Sequence, residues 1–295
     1  MNEVFYSIGG LKIGIQSDYL FPCPQHVAAF LSEENEVDFR IKILPDKYFN
    51  QVGNKKYQVV NKKYIDANWF SVYENDNGDS IFSFIADEVC SITHLFIPRF
   101  GNEVEIYIDE NLLTDKSISI IETTPFLICF MILLIKKSGI ILHSSGVVID
   151  DKGFIFCGKS GSGKTTISNL FIRSNLATVL TDETLILRKY EDSIRIYGSP
   201  WKGSGDNIYC NKNCQLNHIY FIYHGKENKI SNIDKGEAVS ILVKQAFPYF
   251  WDKKLMLRSF SLMTEIANMV SCSNLYFLPD ESVVSFIMKK EGLIS

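Results

Sequence analysis

Residues 140–165 constrain the chain more than any other stretch. An apolar run, Ile140-Ile141-Leu142-His143-Ser144-Ser145-Gly146-Val147-Val148-Ile149, is followed by Asp150-Asp151-Lys152-Gly153 and then by Phe154-Ile155-Phe156-Cys157. So short a turn joins only antiparallel neighbours, because parallel strands need a crossover of a dozen or more residues. The second strand runs straight into Gly158-Lys159-Ser160-Gly161-Ser162-Gly163-Lys164-Thr165, a full match to G-x-x-x-x-G-K-[ST]. A hairpin that delivers such a loop is unusual, since parallel sheets bring the neighbouring strands in through helical crossovers.

The loop has a physical reading. Its glycines let the backbone curl so that successive amides converge on one concavity that side chains would obstruct. Thr166-Ile167-Ser168-Asn169-Leu170-Phe171-Ile172 follows, with Ile167, Leu170 and Phe171 on one helical face, so a helix N-terminus points at the same place. That place suits phosphate. Gly158, Ser160, Gly161, Ser162, Gly163, Lys164, Thr165 and Thr166 are the expected nucleotide contacts, with Lys164 on the β- and γ-phosphates and the Thr165 hydroxyl on Mg²⁺.

Composition narrows the partners. The 295 residues carry a net charge of −4, so no basic excess points to nucleic acid. Residues 125–135 form the most apolar stretch, too short to cross a bilayer and closed by Lys136-Lys137. No charged n-region followed by an apolar run opens the chain, which predicts a cytoplasmic protein without a membrane partner. The seven cysteines are scattered, and Cys210 and Cys214 lack a second pair at zinc-ligand spacing. A homo-oligomer is left open.

Residues 1–115 read as a β-rich region, mostly antiparallel, with strands at 4–8, 11–15, 39–43, 57–60, 69–73, 81–85, 91–97 and 104–108. Residues 116–295 read as the nucleotide-binding core. Thr124 is the expected N-cap of a helix to Lys137, with Pro125 in its first turn. Later helices are expected after Asp234, over 256–270 and after Asp280, and strands at 177–180, 184–189, 194–197, 218–223 and 275–278.

Three further groups surround the loop. Asp182 and Glu183 end a strand about twenty residues past Lys164, where one carboxylate can hold Mg²⁺ and another can take a proton. Asp182 is assigned to the metal, and Glu183, or Asp182 itself, to the base. His143 stands in the first hairpin strand. The flexible segment 198–205 offers Ser199 and Lys202 to a substrate.

Leu142-His143, the hairpin, Gly158-x-Ser160-Gly161-x-Gly163-Lys164-Thr165 and Thr181-Asp182-Glu183 together resemble the nucleotide site of the HPr kinase/phosphorylase and phosphoenolpyruvate carboxykinase group. The resemblance covers residues 140–189. It implies an α/β (α+β) P-loop kinase core with a mixed, largely antiparallel sheet, and a catalytic part for His143, Lys164, Asp182 and Glu183. It further implies ATP and Mg²⁺ as cofactors and a hydroxyl acceptor on a protein, peptide or small molecule. HPr kinases carry a later Glu-x-Arg-Gly-type segment, whereas Arg195-Ile196-Tyr197-Gly198-Ser199-Pro200-Trp201 stands here, so HPr itself is not carried over as substrate. The alternatives are a nucleotide-binding regulator or ATPase with little transfer, and a small-metabolite kinase.

Overall fold

A computed structural model describes residues 2–49, 62–66, 70–84, 92–110, 119–201 and 210–294. It is a mixed α/β structure with two compact units. One comprises Met1–Leu133 with Phe250–Lys253, and the other Leu134–Tyr249 with Lys254–Ser295.

The first unit is built on nine strands. These are β1 (Asn2–Ile8), β2 (Leu11–Ser17), β3 (Leu31–Ser32), β4 (Phe39–Pro45), β5 (Lys62–Asp66), β6 (Phe70–Glu74), β7 (Ser80–Phe84), β8 (Ile92–Ile97) and β9 (Glu103–Ile108). They lie in the order β3-β1-β2-β4-β9-β8-β7-β6-β5. Gly9 and Gly10, at φ 58° and 68°, close the β1–β2 hairpin with Ile8 opposite Leu11. Only residues without a Cβ penalty take both positions readily. Strand β4 shows why the register holds: Phe39, Ile41 and Ile43 are buried and alternate with Arg40 and Lys42. The region is mostly antiparallel, as expected, except that β4 pairs in parallel with both β2 and β9. The expected strand at 57–60 lies outside the described residues.

A short helix, α1 (Gln25–Ala28), follows β2, and α2 spans Thr124–Lys136. Helix α2 is buried on nearly every side, as its unbroken apolar sequence requires. Its cap is Thr123 rather than Thr124. Thr123 sits in extended backbone and its Oγ1 accepts from Phe126 N at 3.4 Å, which leaves Thr124 and Pro125 inside the first turn.

The second unit contains strands β10 (Gly139–Ile149), β11 (Lys152–Cys157), β12 (Thr178–Thr181), β13 (Thr184–Lys189), β14 (Ile194–Tyr197), β15 (Asn213–His224), β16 (Lys229–Asn232) and β17 (Ser271–Phe277). Its helices are α3 (Lys164–Ser174), α4 (Lys235–Gln245), α5 (Lys253–Met269) and α6 (Ser282–Lys290). The sheet runs β11-β10-β13-β14-β15-β17-β16, with β12 also on β10 and β11 also on β15. The β10–β11 turn is tighter than the four residues expected. Ile149 faces Lys152, and Asp150 and Asp151 alone make the turn at φ 46° and 58°. Asp tolerates this left-handed region better than most residues.

The core of the unit fills the space between the sheet and helices α3 and α6. Phe154, Phe156, Ile167, Phe171, Tyr220, Phe277, Val283 and Ile287 meet there, all 1 % exposed or less. Burying one such side chain contributes about 1.5–3 kcal/mol, which fixes α3 against the strands. Asp234 caps α4 by accepting from Gly236 N at 2.8 Å and Glu237 N at 3.3 Å.

Candidate active site

Strand β11 ends at Cys157, and the chain turns through Gly158–Gly163 into α3. Gly161 and Gly163 lie at φ 78° and 101°, where a side chain would be strained. Gly163 also presses on β17, since a Cβ there would come within 2.7 Å of the Phe277 ring. Cys157 itself is fully buried and its thiol is pushed up to about 12 by desolvation. It packs and is no nucleophile.

Lys164 opens α3 with its side chain turned back under the loop. Its Nζ donates to Gly158 O at 2.9 Å and approaches Lys159 O at 3.4 Å. Burial lowers its pKa, while Cys157 and Glu183 oppose that shift. Behind it, Ser168 Oγ donates to the Lys164 carbonyl at 2.9 Å and lies 2.6 Å from Ser145 Oγ on β10. These two buried hydroxyls tie the start of the helix to the hairpin.

Asp182 and Glu183 lie immediately past the end of β12 and before the start of β13. Strands β12 and β13 both pair with β10, with Thr181 opposite Gly146 and Thr184 opposite His143, and the β12 register shifts by one residue beyond Gly146. The acidic pair fills the two-residue break between them. Ser144 N still donates to Glu183 O at 3.0 Å, and Thr181 Oγ1 accepts from the backbone N–H groups of Glu183 and Thr184, each at 3.3 Å. The backbone is therefore held through the break while two carboxylates leave it.

Asp182 is 6 % exposed, and its Oδ2 accepts from Thr165 Oγ1 at 3.3 Å. The Glu183 side chain is about a third exposed, with Oε1 3.8 Å from His143 Nδ1. Burial lowers the His143 pKa and the Lys164 charge lowers it further, against the pull of Glu183 and Asp182. His143, Ser160, Gly161, Gly163, Lys164, Thr165, Thr166, Asp182 and Glu183 line one cleft of about 320 Å³. Gly158 and Ser162 support that cleft from the loop without lining it. Ser199 stands apart, fully buried and not among the cleft-lining residues, with its hydroxyl unpartnered among the described residues. Lys202 lies outside the described residues.

Two contacts carried no local signal in the sequence. His224, at the end of β15, meets the Gly161 carbonyl through Nε2 at 2.9 Å. Gln245, the last residue of α4, reaches Gly158 O at 3.0 Å and His143 O at 3.3 Å when its amide nitrogen faces them. The chain after α4 runs back along β10, with Phe247 N donating to Ile141 O at 3.0 Å, and this return brings Gln245 to the loop.

No protein-family model matches the chain, and no curated protein does. Among solved structures it is similar to one described as the HPr(Ser) kinase/phosphatase from Coxiella burnetii. The identity is 12 %, over 52 % of this chain and 98 % of that one, with a TM-score of 0.29. At that score the resemblance is weak and says nothing of activity.

Proposed function

We propose that the chain is a kinase that binds ATP with Mg²⁺ and transfers the γ-phosphoryl group to a hydroxyl, first of all a serine of a small protein or peptide. The observation that supports this most is the meeting of Lys164, the Thr165–Asp182 pair and Glu183 in one cleft at a helix N-terminus. An anion, a cation and a proton acceptor all find partners there.

The oxygens of Thr165 and Asp182 suit Mg²⁺. They are hard ligands 3.3 Å apart, and this ion takes one or two such groups and completes its shell with phosphate oxygens and water. When bound, the ion neutralises charge on the β- and γ-phosphates. The loop amides and the N-terminus of α3 bind the phosphate oxygens, and Lys164 adds a point charge. Glu183, more exposed than Asp182, takes the proton of the acceptor hydroxyl as its oxygen bonds to the γ-phosphorus. The bond from that phosphorus to the bridging oxygen breaks, and ADP leaves with the electron pair. His143, its pKa lowered by burial and the Lys164 charge, lies beside Glu183 at 3.8 Å and faces the same cleft. Asp182 as the base is the alternative assignment.

The test is to incubate the protein with ATP, Mg²⁺ and a library of serine-containing peptides, following ADP release and peptide mass together. ADP formation matched by phosphopeptide is expected. ADP release without any labelled acceptor would favour the regulator or ATPase, and no turnover of ATP by folded protein would overturn the proposal.

A further inference from the structure

Strands β11, β15 and β17 run parallel, and their carboxyl ends are Cys157, His224 and Phe277. Ligands of α/β sheets lie across such ends. The glycine-rich loop occupies the first. At the other two lies a second crevice of about 490 Å³, lined by His224, Lys226, Glu227, Lys229 and Tyr276 among others. Its backbone is pinned: Gly225 N donates to Phe277 O at 3.0 Å, and Asn228 Oδ1 accepts from Leu278 N at 2.9 Å.

We infer that this crevice takes the nucleoside end of ATP, an inference that rests on the loop binding the phosphates as proposed above. Three observations carry it. His224 belongs to both places, since it lines the crevice and its Nε2 holds the Gly161 carbonyl of the loop. Gly163 touches the Phe277 ring, so the loop and the end of β17 are in direct contact. The chemistry also divides. The loop cleft has no Tyr, Phe or Trp among its described lining residues, which include the carboxylate pair Asp182 and Glu183. The crevice instead offers the Tyr276 ring, 37 % exposed and stacked on Tyr223 with centroids 5.3 Å apart. A nucleobase stacks on such a ring whatever its hydrogen-bonding edge. Glu227 accepts from the ribose hydroxyls, and Lys226 and Lys229 offset the charge of the phosphate chain.

Calorimetric titration with ATP and with inorganic tripolyphosphate, both with Mg²⁺, separates the two readings. The wild-type protein is expected to bind ATP more tightly than tripolyphosphate. Tyr276→Leu should weaken ATP about tenfold, in line with lost base stacking, and leave tripolyphosphate affinity unchanged. Glu227→Gln, on an exposed loop, should weaken ATP in the same selective way and carries the test if Tyr276→Leu fails to fold. Unchanged ATP affinity in the folded variants overturns the nucleoside assignment while the loop proposal stands. Equal wild-type affinity for the two ligands does the same. Wild-type protein that binds neither overturns both.

Discussion

The two sheets treat charge in opposite ways. In the first, ionic groups pair near the surface, Lys42–Glu103 at 2.6 Å across the neighbouring strands β4 and β9 and Arg40–Glu3 at 2.8 Å from β4 over β2 to β1. The buried polar residues described there are Ser17, Asn75 and Ser119, none of them ionisable. In the second, Lys164 and Asp182 are buried, with Ser144, Ser145, Ser168, Thr181 and Thr184 around them. Burying a charge costs several kcal/mol before any partner offsets it. The unit with the glycine-rich loop bears this cost, and the described residues of the other avoid it, which is the contrast expected if the proposed chemistry sits at the loop. The histidines repeat the lesson. His94 is stacked on Phe49 with centroids 3.8 Å apart and its buried Nδ1 has no partner among the described residues, whereas His143 faces carboxylates and an ammonium.

Removing the buried charges should break this contrast most. Lys164→Ala is expected to abolish measurable phosphoryl transfer while circular dichroism stays native, because flanking strand and helix hold the loop. Unchanged transfer by folded protein would return Lys164 to the scaffold. Next, Glu183→Gln and Asp182→Asn should each lower turnover by about a hundred- to ten-thousand-fold, and Asp182→Asn should also raise the Mg²⁺ concentration needed for half-maximal rate. Full activity in both would make the pair a structural interruption of the strand.

Smaller effects belong to the first sheet. Burial lowers the His94 pKa from 6.5 to about 4, so the folded state binds the proton less readily than the unfolded chain. Stability from this residue is complete above pH 6.5 and is lost as pH falls toward 4, by about 3 kcal/mol at most. Denaturation of His94→Phe across that window should lack this slope; an equal slope in both proteins would move the titration elsewhere. Last, Arg40→Ala should cost less than about 1 kcal/mol, as partly exposed ion pairs do. A loss of several kcal/mol in chemical denaturation would show that the first sheet also depends on charge.

What was legible in the sequence was local. The loop, its strand and helix, the turn glycines and the Asp234 cap each announce themselves within a few residues. The parallel pairing of β4 with β2 and β9 was not legible, since nothing in Phe39–Pro45 encodes which neighbour arrives. Asp182 and Glu183 were legible as a pair at a strand end, but the resumption of the next strand on the same partner, β10, was not, because two acidic residues look the same at a terminus and in a break. His224 and Gln245 reach the loop from over sixty residues away in sequence, through β15 and α4, and their own surroundings give no sign of it.

The two-residue turn at Asp150-Asp151 also bears on how the chain comes off the ribosome. A hairpin closes in about 1–10 μs, so β11 pairs with β10 almost as soon as both are made. Its other partner, β15, ends at His224. At about 5–20 residues per second, synthesis of the intervening stretch takes on the order of ten seconds. For that interval the strand that carries the loop has one edge unpaired, open to any other chain able to add a strand.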